Sequence, residues 1–343
     1  HYTYPAKAYN PLNTLFRTML QVIYKPTRTG SATALDFQLK NTTEPVAEIG
    51  ELLVQPLYLS TDPYLFRMLG GKSAHGTIAP GTVMSGRVVA RILVSSTSAL
   101  AAGTLVLAES CDWAERAVVK TDMVSALDES IGVPNSAWLG VLGTSGISAW
   151  VGLLDVGRPQ AGETVVVSAA AGAVGSVVGQ LAKALGCRAV GIVGGAAKTR
   201  HLLEDLGFDA AVDYKAADFE QQLAAALPNG ADVYFENVGG AVFDAVMPHL
   251  NLHARVPLCG LASLYGHDAT PLTLRNFEYL LNRSVRLQAF RVGDYQARWP
   301  KIQSELACMI RSGELRYYQT VLDGLEAAPG ALAALMEGRH LGK

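Results

Sequence analysis

The chain has 343 residues, 50% of them hydrophobic, with 28 basic and 30 acidic side chains and a formal net charge of −2. That length suits two ordinary domains, and the balanced charge excludes a global field that would draw nucleic acid or an anionic membrane surface. Cys111, Cys187, Cys259 and Cys308 are far apart and form no CxxC pair, which excludes a disulfide framework and a four-thiolate zinc site.

No signal-peptide pattern opens the chain, and a cytoplasmic location is expected. From Thr14 to Leu142 short β-branched or alternating runs are broken by Gly, Pro and Ser: Met19–Tyr24, Glu51–Ser60, Thr82–Val94, Thr104–Leu107 and Arg116–Lys120. This predicts a β-rich domain. The charge-free stretch Ser130–Leu154 holds Pro134, Asn135 and five glycines, so it reads as buried globular chain and not as a membrane span. From Gly143 onward strands and helices alternate. Strands are predicted at Thr164–Ser168, Arg188–Val193, Ala211–Asp213, Ala231–Glu236, Arg255–Cys259 and Val285–Phe290, with helices from near Ala173 to a cap at Gly186, over Lys198–Leu206 and Phe219–Leu227, and from Pro300 to Gly313. The pattern is that of a six-stranded parallel, doubly wound α/β sheet, after which the tail is expected to rejoin the first domain.

The stretch from Thr164 carries the clearest chemical signal. A β-branched strand enters a turn spaced Ala170-x-Gly172-x-x-Gly175, where small residues let a diphosphate approach backbone N–H groups at a helix N-terminus. Val174, Val178, Leu181 and Leu185 fall on one helical face, and Gly179 inside the helix points to a close helix–sheet contact. The next strand ends at Gly194-Gly195, where an NAD-binding unit carries an acid for the adenosine ribose. Lys198 and Arg200 follow instead, so the cofactor expected is NADPH, whose 2′-phosphate needs a counter-charge.

The segments LSTDPY (59–64), LGTSGISAW (142–150), SAAAGAVGSVVGQLAKALGC (168–187), LGFDAAVDYK (206–215), YFENVGG (234–240), CGLASLY (259–265), GLEAAPGAL (324–332) and GRHLGK (338–343) together span most of the chain. In them the chain resembles the zinc-independent medium-chain dehydrogenases/reductases, and within these the NADPH-dependent alkenal/one double-bond reductases. The resemblance implies a GroES-like β-barrel catalytic domain over 14–142 and 314–343, a Rossmann domain over 143–313, and a homodimer joined through the Rossmann sheets. It also implies a final barrel strand falling after Lys343.

Carried over residue by residue, the resemblance implies that Gly172, Ala173, Val174 and Gly175 meet the diphosphate, and that Gly194, Lys198 and Tyr214 surround the adenosine phosphate. Asn237, Val238, Cys259, Gly260, Phe290 and Val292 are expected near the ribose and nicotinamide. His340 stands where the family usually has asparagine, so a nicotinamide-side hydrogen bond is expected to be altered or to come from His340, and the arginine-rich run after Asp-Pro-Tyr is shortened to Leu65-Phe66-Arg67-Met68, which is expected to change the pocket rim. Tyr265 matches the family tyrosine that hydrogen-bonds the substrate carbonyl or supplies a proton, and Tyr64 a second tyrosine of the substrate pocket.

A catalytic zinc needs three protein ligands and an open position. Met84-Ser85-Gly86 stands where zinc-dependent relatives carry Gly-His-Glu, while Cys111, His75, His201, His249, His253 and His267 have no ligand-spaced partners. Glu236 and Asp232 alternate with Val233 and Phe235 on a strand and are expected to cap strand ends or bond on the cofactor side, not to act as an acid pair. Without a Lewis acid, the expected reaction is hydride transfer to the β-carbon of a small enal or enone, whose conjugated carbonyl is already an electron sink. A zinc-free NADPH quinone reductase and a non-catalytic NADPH-binding protein are the alternatives.

Overall fold

The computed structural model describes residues 17–26, 33–69, 76–265 and 273–343. His75, His267 and the predicted start of the first domain at Thr14 lie outside the described residues. The described residues fall into two units, one within His1–Ser130, Tyr265–Asp268 and Val321–Arg339, the other within Ile131–Leu264, Ala269–Thr320 and His340–Lys343.

The first unit is antiparallel. Strands β1 (Thr18–Tyr24) and β2 (Phe37–Thr43) pair as a ribbon, Thr18 opposite Thr43 and Tyr24 opposite Phe37. Strand β2, with no fully buried residue, has no apolar face to betray it in the sequence. A five-stranded sheet follows from β3 (Glu51–Leu59), β4 (Ser85–Ser95), β5 (Leu105–Asp112), β6 (Ala117–Lys120) and β7 (Val124–Ala126), in the order β6-β3-β4-β5-β7. Register shifts between β3 and β4 fall at Leu53/Val54 and around Pro56. Such bulges add local twist, which curls the sheet into a half-barrel. Leu52, Val54, Val88, Ala90, Ile92 and Val106 fill its inside. A second cluster joins Val22, Leu65, Met84 and Trp113 to Ala328 and Leu332 of the helix Ala328–Met336. Helix α1 (Tyr64–Leu69) packs there through Leu65, Phe66 and Leu69.

The second unit begins with α2 (Thr144–Trp150), prolonged by the π-helical turns Val151–Gly157. Alternating elements then run β8 (Thr164–Ser168), α3 (Gly175–Ala184), β9 (Arg188–Val193), α4 (Ala196–Glu204), β10 (Ala210–Asp213), α5 (Phe219–Ala226) and β11 (Ala231–Phe235). They continue with α6 (Gly240–Val246), β12 (Leu250–Leu258), α7 (Glu278–Asn282), β13 (Arg286–Ala289) and α8 (Trp299–Ser312). The six strands are parallel in the order β10-β9-β8-β11-β12-β13. This is the doubly wound arrangement, with its switch point between β8 and β11. Strand β12 starts five residues before the predicted Arg255.

Helix α3 opens at Gly175, two residues later than expected, and Leu185 falls past its end and is 40% exposed. The remaining apolar face holds, with Val178 and Leu181 buried. The close contact at Gly179 is with the Phe208 ring, between α4 and β10: an added Cβ would lie 1.9 Å from Phe208 Cζ. No described helix is long and apolar enough to cross a membrane.

Candidate cofactor and catalytic residues

The turn after β8 is shaped by one unusual residue. Ala169 has φ 49°, a left-handed conformation that costs a non-glycine residue energy and tends to occur where a ligand is handled. Its carbonyl is thereby directed where a Cβ at Gly175 would stand 2.5 Å away and one at Gly172 3.2 Å away, so position 175 requires glycine and a side chain at 172 would be tight. The alanine in place of the first motif glycine is accommodated across the sheet, because a Cβ at Gly191 of β9 would come within 2.8 Å of the Ala170 methyl. Ser176 N and Val177 N of α3 donate back to Gly172 O and Val174 O at 3.0 and 3.1 Å, which sets the backbone of Ala173, Val174 and Gly175 at the positive end of the helix, where a phosphate is favoured.

Basic groups stand near this turn. The Asp213 carboxylate ends β10 by accepting from Gly195 N and Lys215 N, both at 2.9 Å. This turns the Gly194-Gly195 corner and carries Lys198 on the first turn of α4 toward Lys215, whose ammonium sits 5.9 Å from the Tyr214 ring centroid. A Cβ at Gly194 would lie 2.9 Å from Tyr214 Cε1 and 3.0 Å from Lys215 Cε. The position of the usual ribose-binding acid is therefore sterically closed. Burial, then the charge of Lys215, lowers the Lys198 pKa.

His340 lies on the tail that docks against the same turn, Gly342 N donating to Ala171 O at 2.8 Å. Burial, then Lys198 and Lys343, push its imidazole down to about 4. The contributions of Lys215 and Lys343 were absent from the sequence reading, although both lie inside quoted motifs, VDYK and HLGK.

At the β11 edge, Glu236 is fully buried and accepts from Val238 N at 2.5 Å, from Gly239 N, and from Ser168 Oγ at 3.0 Å. Asn237 is fixed in turn, its N and Nδ2 donating to Ser168 Oγ and Ser168 O, each at 2.8 Å. Asp232 accepts from Thr164 N and Asn251 Nδ2 at 2.8 Å, so the two carboxylates hold backbone in place as expected. Cys259 N and Ser263 N donate to Glu236 O and Val238 O at 2.9 Å, zipping the ends of β11 and β12 together and placing Gly260 beside them. Burial, then Glu236, push the Cys259 thiol up to about 12. Phe290 meets Phe235 edge-on at 6.4 Å, under Gly152, where a Cβ would lie 2.6 Å from either ring. The Val292 carbonyl accepts from Trp299 Nε1 at 3.2 Å.

In the antiparallel unit, Tyr265 lies under the guanidinium of Arg67, 5.8 Å from its ring centroid. The shortened run after Asp62-Pro63-Tyr64 thus buries Leu65 and Phe66 and turns Arg67 to this phenol. Burial, then Asp62, raise the Tyr64 pKa, keeping its phenol protonated and a donor. Met84 is fully buried, and a Cβ at Gly86 would lie 3.2 Å from Trp113 Nε1, so the Met84–Gly86 segment is packed core. Among the described residues no three His, Cys, Asp or Glu side chains group as metal ligands. His201 is bonded to Asp205 at 2.6 Å and stacks edge-on against Tyr318.

Residues 173–307 match the family model described as zinc-binding dehydrogenase, and residues 21–127 the one described as N-terminal domain of oxidoreductase. The chain is 40% identical over 324 residues to the NADPH-dependent curcumin reductase of Escherichia coli (strain K12), covering 92% of each. It is 38% identical over 333 residues to the 2-alkenal reductase (NADP(+)-dependent) of Nicotiana tabacum, covering 94% of this chain and 95% of that one. The crystal structure of CurA in complex with NADPH from Vibrio vulnificus superposes with a TM-score of 0.87 at 39% identity, over 94% of this chain and 97% of that one.

Proposed function

The chain belongs to the NADP-dependent medium-chain dehydrogenase/reductase family that includes curcumin, 2-alkenal and prostaglandin reductases, and from that membership we propose that it reduces the C=C bond of α,β-unsaturated aldehydes and ketones with NADPH. The observation that carries the reading is Tyr265 beneath the Arg67 guanidinium, a phenol suited to receive charge at a carbonyl oxygen. NADPH, when bound, supplies the hydride for the β-carbon.

In this reading Gly172, Ala173, Val174 and Gly175 hold the diphosphate, while Lys198 and Tyr214 take the 2′-phosphate beside Gly194. Asn237, Val238, Cys259 and Gly260 border the ribose and nicotinamide, with Phe290 and Val292 behind, and His340 closes the phosphate side. Tyr265 donates to the substrate oxygen as it gains negative charge, the work of an oxyanion donor, and Arg67 adds positive charge across the ring face. Tyr64 contributes a neutral phenol to the substrate pocket. The chemistry is zinc-free, because the Met84–Gly86 segment offers packing in place of ligands. We place the enzyme in the cytoplasm as a homodimer: β13 is an edge strand with all four residues exposed, and an uncovered edge of this kind is a site for pairing.

Tyr265→Phe removes only the hydroxyl. Turnover on an enone should fall by about 10- to 100-fold, as for loss of one oxyanion donor, with NADPH affinity within about twofold by fluorescence titration. Parent-like kcat in that variant would end the assignment. A panel of a long-chain enal, a benzalacetone-type enone and a benzoquinone should give fastest turnover on the first two, and fastest turnover on the quinone would move the reading to quinone reduction.

A further inference from the structure

The last four residues, His340–Lys343, group with the parallel-sheet unit and are fastened there at several points. Gly342 N donates to Ala171 O at 2.8 Å, Lys343 N to Tyr318 O at 3.0 Å, and Thr320 N to Lys343 O at 2.7 Å. Gly342 has φ 64°, and a Cβ on it would fall 1.9 Å from Tyr318 O, so glycine alone lets the tail lie this close. His340 is thus held at the rim of the glycine turn by backbone bonds rather than by its own side chain.

The imidazole itself is unsatisfied. Its Nδ1 is closed to solvent and has no hydrogen-bond partner, a state that costs free energy. The charges that act on it are both positive: Lys198 from α4 and Lys343 from its own tail. Lys215, after β10, stands behind Lys198, the adjoining turn of Ala171 and Gly172 offers backbone alone, and neighbouring Arg339 is paired with Glu337 at 2.5 Å. An orphaned nitrogen facing cations is the complement of an anion.

We propose that His340 couples cofactor choice to a proton: the ring is neutral in the free protein and takes up a proton when the 2′-phosphate dianion settles on Lys198. The inference rests on the reading of NADPH as the cofactor. In the free protein burial, then the two ammonium charges, keep the ring neutral down to about pH 4. A dianion among these groups offsets both ammonium charges and raises the imidazole pKa. By linkage, the added NADPH affinity is then complete below the free value, falls as pH rises between the free and raised values, and is lost above the raised one. NADH lacks the 2′-phosphate, and its affinity stays flat over the same range.

The test is calorimetric titration of the intact protein with NADPH and with NADH near neutral pH, in two buffers of different ionisation enthalpy, which counts protons taken up. Uptake of roughly half to one proton is expected with NADPH, and close to none with NADH. His340→Asn should lose that uptake and bind NADPH about 5- to 30-fold more weakly below neutrality, while differing little at about pH 9. His340→Gln repeats the comparison with a longer side chain. The phosphate's own titration is common to all three proteins and cancels in the difference. Equal uptake with both cofactors, or uptake that the two substitutions leave unchanged, overturns the inference. A wild-type protein that binds NADH as well as NADPH would instead remove the cofactor reading beneath it.

Discussion

In the proposed reading Lys198 separates NADPH from NADH, since it rides the first turn of α4 at a corner where a side chain in place of Gly194 would press on the Tyr214 ring. Lys198→Ala should weaken NADPH binding by about 1.5–3 kcal/mol, roughly 10- to 150-fold, through loss of a charge-assisted contact. NADH binding should hardly change, and equal losses for both cofactors in fluorescence titrations would remove Lys198 from the 2′-phosphate. The thiols give a second test at this scale. Burial pushes Cys111 and Cys259 up to about 12, so at pH 8 both stay protonated and unreactive, whereas Cys308 is exposed. Brief alkylation followed by peptide mapping should find Cys308 modified first, and early modification of Cys259 would contradict the packing drawn at the end of β12.

Among the elements, α3 shows why a residue that weakens a helix locally is retained. Alanine at position 179 would improve helix propensity by about 1 kcal/mol, yet its methyl would enter the space of the Phe208 ring. Overpacking of that kind costs about 1–3 kcal/mol. Gly179→Ala should therefore lower the urea midpoint, and pairing it with Phe208→Ala should recover part of the loss; a midpoint raised by the single change would show that the ring moves aside. The same element marks what the sequence could reveal. Strands β8 and β9 were legible as short apolar, β-branched runs buried almost throughout, helix α5 because its buried Leu223 and Ala226 keep the helical period, and the glycine turn because its spacing is tied to a chemical task. Strand β2 was hidden by its exposed, mostly polar side chains, and the start of β12 by the exposed Leu252 and His253, the latter at φ 63°. The Ala169 strain, the Asp213 clamp and the placing of Arg67 over Tyr265 depend on residues distant in sequence, which no local period encodes.

At the scale of the whole molecule, the sheet order decides where a second copy can attach. Among the described residues, only the two outer strands of β10-β9-β8-β11-β12-β13 have a free side. Strand β10 is packed by α4 and α5 and retains buried Val212, whereas every residue of β13 is exposed. Leu287 of β13 is 40% exposed, and Leu281 of the preceding α7 is 82% exposed. Apolar side chains beside an open ladder would be a liability in a monomer, and two copies meeting edge to edge would cover both at once, in the self-complementary manner of a two-fold interface. The protein should therefore sediment as a dimer of 36.3 kDa chains. Leu287→Lys places a charge on each side of the two-fold and should shift the species toward monomer, with Leu281→Lys adding to the effect. The change lies outside the residues assigned to cofactor and substrate, so NADPH binding by the resulting monomer separates loss of assembly from loss of fold. A parent protein that sediments as a monomer at micromolar concentration, or a Leu287→Lys variant that remains a dimer, would place the interface elsewhere.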